Sequence, residues 1–371
     1  MKKINALIFI LLFSISGVMA MGSDTINVNN PFIEYTGRID FTNPLSPRFS
    51  YSGVSIRACF EGTGISILLN DEDSLNQYNV IVDKVIKRIK VSKGLTVYPI
   101  AGGLKDTVHE IEVFRLTELT FGETMFQGFM LDKGKSLIAI QNQRIHAIEY
   151  IGNSITCGYG NEGVLGGKYG PETQNHYLTY AAFTSRNFNA RHLAVCRSGI
   201  GIYRNYGDST SGSKDCMTNN YSRMFLYKAS PVYDFKLKPD LICIDLGTND
   251  FSNSYNGFVV DTTKFIRNYL ALIDTLQLRN KSTDILVLLG PMLTDPTLST
   301  VRRCLNVIVE SANKKNNGKV CFFEMSQQTG KLGIDYHPVV TQHLKNSIEL
   351  TNYISRMKGW EISHGFLNKI H

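Results

Sequence analysis

Four short polar stretches could do chemistry together: Gly152-Asn-Ser154, Ser198-Gly-Ile-Gly201, Gly247-Thr-Asn-Asp250 and Gly333-Ile-Asp-Tyr-His-Pro338. A serine hydroxyl is a poor nucleophile until a base takes its proton, and Ser154 and His337 supply the pair. The oxyanion formed when serine attacks a carbonyl needs preorganised donors. The backbone N–H groups of Ser154 and Gly199 and the side-chain amide of Asn249 could supply three, since glycine lets backbone approach a substrate closely. The chemistry is acyl transfer. Taken singly, each stretch reads equally well as a polar turn.

The surrounding elements decide whether these residues can meet. The apolar run 145–152 is expected to be a buried strand, with further strands at 191–196, 241–246, 284–289 and 319–325. Apolar residues at helical spacing mark helices over 176–189, 258–278, 298–313 and 339–357. Strands alternating with helices argue for a parallel, doubly wound sheet of flavodoxin-like type. Right-handed crossovers put the loops that follow the strands on one edge, where such folds bind ligands. All four polar stretches fall on that edge.

Residues 28–140 have a different rhythm. Short alternating runs separated by turns, such as His109-Glu-Ile-Glu-Val-Phe-Arg-Leu116, read as strands. Regular short strands suggest a β-sandwich, here of jelly-roll type. This domain reads as a scaffold packed against the second domain, residues 143–371.

Residues 1–20 stand apart. Lys2 and Lys3 precede an apolar run over 6–18 and small residues at Val18-Met-Ala20, the pattern of a secretory signal peptide. The expected location is secreted or periplasmic, and no membrane partner is expected after cleavage. The formal charge of +7 loses two with Lys2 and Lys3. The remaining basic residues are scattered, so no nucleic-acid partner is expected. Lys84-Val-Ile-Lys-Arg-Ile-Lys90 alternates like the outer face of a strand. Seven cysteines include no CxxC pair and no zinc-like spacing. Cys243 and Cys321 sit in apolar runs as buried thiols, although export would permit one or two disulfides. His109, His146, His176, His192, His343 and His364 have no partner at metal-ligand spacing, so no metal is expected. The glycine-rich loop 158–167 lacks the Gly-Lys-Ser/Thr of a phosphate loop, which argues against a nucleotide. No cofactor is expected.

Together and in this order, the four stretches resemble the blocks of the SGNH, or GDSL, hydrolases. Nearly the whole chain after the leader resembles carbohydrate esterase family 2, the acetyl xylan esterase type, which carries a β domain before its hydrolase domain. The first block stands as Gly152-Asn153-Ser154, with asparagine where aspartate is usual. The second-block glycine fits Gly199, with Gly201 as the competing choice. The third block is Gly247-Thr-Asn249-Asp250 and the last is Asp335-Tyr-His337-Pro338. The resemblance implies Ser154 as nucleophile, His337 as base and Asp335 as the acid that orients it. The broad superfamily spacing would put that acid at 334, which is Ile334, so a backbone carbonyl remains the alternative. Tyr336 would either face a sugar or pack, and Asp245 and Asp250 read as loop-bonding residues. The implied reaction is cofactor-free removal of acetyl groups from a polysaccharide or oligosaccharide. Two other readings stay open: a carbohydrate-binding protein with an inactive hydrolase domain, and an esterase or lipase for longer acyl chains.

Overall fold

The computed structural model describes residues 22–363 except 142, 210, 227–229, 253–258 and 316–318. The expected signal peptide and His364 lie outside the described residues.

The N-terminal half forms two antiparallel sheets. The first runs Ser23–Ile26, Thr124–Asp132, Ile65–Asp71, Gly94–Ala101, with Arg48–Phe49 beside Thr124–Asp132. The second runs Leu137–Ile138, Ser55–Gly62, Thr107–Arg115, Gln77–Val82, Val85–Lys90, with Glu34–Thr36 beside Ser55–Gly62. Strand Ser23–Ile26, which pairs with Thr124–Asp132, lies ahead of residue 28. Strand Ile65–Asp71 alternates buried and half-buried residues, as a sheet with one face in a core must. Ile65, Ile67 and Leu69 from one sheet share a core with Ile56, Ala58 and Phe60 from the other. Strand Val85–Lys90 departs from expectation: among the described residues it pairs on one side only, and Val85 and Ile86 are exposed with the lysines.

The second half is a five-stranded parallel sheet in the order Ala190–Cys196, His146–Gly152, Leu241–Asp245, Asp284–Leu289, Val320–Glu324. In chain order this is 2-1-3-4-5, with its topological switch at strand His146–Gly152. Residues alternate between two faces. Ile242, Ile244, Ile285 and Val287 pack with helices Thr262–Arg279 and Thr297–Lys314. Leu241, Cys243, Leu286 and Leu288 pack with helices Tyr180–Asn187 and Val340–Lys358. The expected helix over 176–189 divides into a 3-10 turn, His176–Leu178, and helix Tyr180–Asn187, which Thr179 caps through its side chain. All seven cysteines are free thiols. Among the described residues, no helix is long and apolar enough to cross a membrane.

Candidate active site

Strand His146–Gly152 ends at the switch point and the chain turns into the short helix Ser154–Cys157. Asn153 caps this helix, its side-chain oxygen accepting from the Ile155 N–H at 2.9 Å. Asparagine supplies the acceptor an aspartate would, so the departure from the usual block leaves the nucleophile's turn intact. Ser154 is the first helical residue, and its own N–H has no intrahelical partner.

Across the sheet edge, the chain after strand Val320–Glu324 brings back His337. Its Nε2 lies 2.7 Å from Ser154 Oγ. Its Nδ1 donates to the carbonyls of Ile334 at 3.0 Å and Asp335 at 3.1 Å. These acceptors hold the proton on Nδ1 and leave the Nε2 lone pair to receive the serine proton. The expected orienting role of the Asp335 carboxylate is not what the structure shows. That carboxylate accepts from the Tyr159 hydroxyl at 2.7 Å. The cause is local: Asp335 and Tyr336 both take positive φ, 48° and 64°, and this left-handed turn gives its carbonyls to the ring. Such a conformation is costly outside glycine and clusters at functional sites. Burial lowers the His337 pKa from its usual 6.5, against the pull of the two carbonyls and the Asp335 charge.

The structure also places the expected oxyanion donors. Gly201 gives its N–H to the Asn205 side chain at 3.1 Å, and a Cβ there would lie 1.9 Å from the Arg204 carbonyl oxygen, so Gly201 shapes the loop. Gly199 has φ +80°, and its N–H meets no acceptor among the described residues, which favours Gly199. Asn249 spends one amide hydrogen on the Ile200 carbonyl at 2.8 Å, leaving the other to donate. Asp250 behaves as expected and receives the N–H groups of Ile202, Tyr203 and Arg204 at 2.9, 2.9 and 3.1 Å. Asp245 does not. It bonds no loop N–H among the described residues, and burial pushes its carboxyl up to about 7.

Residues 35–140 match the Carbohydrate esterase 2 N-terminal domain and residues 148–336 match the GDSL-like Lipase/Acylhydrolase domain. The structure of a family two carbohydrate esterase from Clostridium thermocellum in complex with cellohexaose superposes with a TM-score of 0.81 at 33% identity, covering 88% of this chain and 99% of that one. This chain belongs to carbohydrate esterase family 2. Among the family's relatives, it is 34% identical over 346 residues to the cellulase/esterase CelE of Acetivibrio thermocellus, covering 92% of this chain but only 41% of that protein's length. It is 24% identical over 341 residues to an acetylxylan esterase / glucomannan deacetylase of Cellvibrio japonicus, covering 91% of this chain and 92% of that one.

In this family member, several side chains at the site carried no sequence signal. Tyr159 lays its ring on His337 at 4.4 Å between centroids, and Tyr169 stacks on Tyr159 at 3.6 Å. Tyr206, beside Gly199, is exposed, as is Tyr336. Tyr336 also borders an open cavity of ≈ 700 Å³ lined by Met292, Leu293, Thr294, Gln328 and Leu332. Of these tyrosines, only Tyr336 was named from the sequence, and it is exposed, not packed.

Proposed function

We propose that this protein removes acetyl groups from the sugars of a polysaccharide or oligosaccharide through an acetyl-enzyme. The observation that carries this is the 2.7 Å contact between Ser154 Oγ and His337 Nε2, with the imidazole fixed at Nδ1 by main-chain carbonyls. Ser154 attacks the acetyl carbonyl as His337 takes its proton at Nε2. The N–H groups of Ser154 and Gly199 and the Asn249 amide receive the oxyanion. His337 returns the proton to the departing sugar hydroxyl. A water, deprotonated by the same nitrogen, then releases acetate. Tyr336 and Tyr206 offer aromatic faces to sugar rings on either side. The relative named acetylxylan esterase / glucomannan deacetylase supports acetylated xylan or glucomannan as the substrate class.

Two structural readings accompany this one. Apart from the hairpin Gln77–Val82 and Val85–Lys90, successive strands of the β domain alternate between its two sheets, which supports a jelly roll. The basic and apolar start of the chain supports export, which N-terminal sequencing of the mature protein would test by finding residues 1–20 removed.

The deciding assay is acetate release from 4-nitrophenyl acetate and acetylated xylan. Wild type should be active, and Ser154→Ala should lose on the order of 10⁴-fold or more while remaining folded. Equal activity in both would place the nucleophile elsewhere. An ester series of increasing acyl length should fall off beyond acetate; a preference for butyrate or longer would favour a lipase.

A further inference from the structure

Glu118 belongs to the β domain and stands in the turn after strand Thr107–Arg115. It is 1% exposed. Its Oε2 accepts from the Ser198 N–H at 2.7 Å and its Oε1 from the Ser198 hydroxyl at 2.6 Å. Oε1 also lies 2.8 Å from the Tyr169 hydroxyl, whose single proton is shared with Gln174 Oε1 at 2.7 Å. Among the described residues, no cation pairs with this carboxylate. A buried carboxylate held only by neutral donors is a costly way to join two domains, and an apolar contact would do so at lower cost.

What the carboxylate holds is the approach to the oxyanion site. Ser198 precedes Gly199, and bonds to both its N–H and its hydroxyl leave it little freedom in φ or χ1. The contact to Tyr169 leads to the base, because Tyr169 stacks on Tyr159 and Tyr159 covers His337. Glu118 is itself fixed from behind. The fully buried Arg115 donates to the carbonyls of Thr117 at 3.1 Å, Glu118 at 3.4 Å and Gly122 at 2.7 Å.

We propose that Glu118 is a positioning residue through which the β domain completes the active site. It sets the Ser198–Gly199 backbone for the oxyanion and, through Tyr169 and Tyr159, steadies the face of His337. The proposal rests on the esterase reading above. A device that aligns donors with the transition state acts on kcat, whereas one that merely joins the domains acts on stability.

The test compares full-length wild type, Glu118→Gln, Ser198→Ala and the double variant in aryl acetate hydrolysis, with thermal unfolding alongside. Wild type is read first. If it releases no acetate, the esterase reading is overturned and the positioning role falls with it. With wild type active, Glu118→Gln should lower kcat about 10- to 100-fold while KM stays within about threefold. The double variant should be scarcely worse than Glu118→Gln, because both changes act on the same link between Glu118 and Ser198. Inactivation of Ser154 by a methylphosphonate ester, which puts an oxygen where the oxyanion forms, should slow in parallel. A folded Glu118→Gln with wild-type kcat, a loss carried by KM, or additive losses in the double variant would each overturn the proposal. If Glu118→Gln does not fold, Ser198→Ala decides: lowered kcat at unchanged KM supports it, and wild-type kcat overturns it.

Discussion

At His337 the imidazole is held by peptide carbonyls, and a carbonyl orients a ring without bringing a full charge to it. In a serine–histidine–aspartate triad, the aspartate sets the tautomer, and its replacement by asparagine costs about 10⁴ in kcat. Here the tautomer is set by Ile334 and Asp335 backbone, so Asp335→Asn should keep kcat within about tenfold of wild type. Its pH profile should nevertheless move. The neutral imidazole is the active base, so kcat/KM falls on the acid side as His337 protonates. Burial puts that midpoint below 6.5, and the Asp335 charge opposes the shift. Removing that charge should carry the midpoint lower still. A loss near 10⁴ would restore Asp335 as the orienting acid, and an unmoved or higher midpoint would show that the Asp335 charge does not act on the ring. The sequence displayed an acid two residues before the histidine. It did not display the left-handed turn at 335 and 336, which depends on tertiary packing and decides which atom of Asp335 faces the ring.

The strands and helices of the catalytic half were legible because apolar periodicity is set by the two faces of the sheet, and Ser154, Asn249 and His337 follow from lying at its edge. Segments without periodicity were opaque. No element was expected between strands Ala190–Cys196 and Leu241–Asp245, yet Tyr221 and Phe225 are buried there against Arg38 and Tyr51 of the β domain, a partner no local pattern announces. Glu118 was invisible for the same reason. The purpose of the glycine-rich loop after Ser154 emerges only in three dimensions. Gly160 has φ +57°, accepts from the Ile334 N–H at 3.3 Å, and lies so close that an added Cβ would be 2.6 Å from Ile334 Cβ. Since the Ile334 carbonyl anchors His337, Gly160→Ala should displace that anchor. We expect a stability loss of about 1–3 kcal/mol and a kcat loss of about tenfold or more, measured by denaturant unfolding and aryl acetate turnover. Unchanged kcat would mean that the histidine loop tolerates movement at Ile334.

Across the whole molecule, one hydrophobic core runs from the β domain into the α/β domain. Tyr51 stacks on Phe225 at 6.5 Å, and both belong to the cluster that also holds Ile67 and Ile244. Through this interface passes Arg38, fully buried in the β domain. It donates to the carbonyls of Tyr221 and Arg223 and lies 3.5 Å from the buried Glu149 on strand His146–Gly152. Its guanidinium sits over the rings of Tyr221 and Tyr233 at 4.5 and 4.7 Å. Burial pushes the Glu149 carboxyl up, while Arg38 and the Tyr221 hydroxyl pull it back. That strand carries Ser154 at its end, so the ion pair ties the nucleophile's own strand to the neighbouring domain. Removing the cation leaves a buried carboxylate with no opposite charge beside it, and Arg38→Ala should therefore lower stability by about 3–5 kcal/mol. The shared core also means that the wild-type domains should unfold together, in a single calorimetric transition. Two separate transitions in wild type, with only the first moved by Arg38→Ala, would show that the interface is a contact between independent domains; one transition displaced to lower temperature would show that the two halves stand or fall as one.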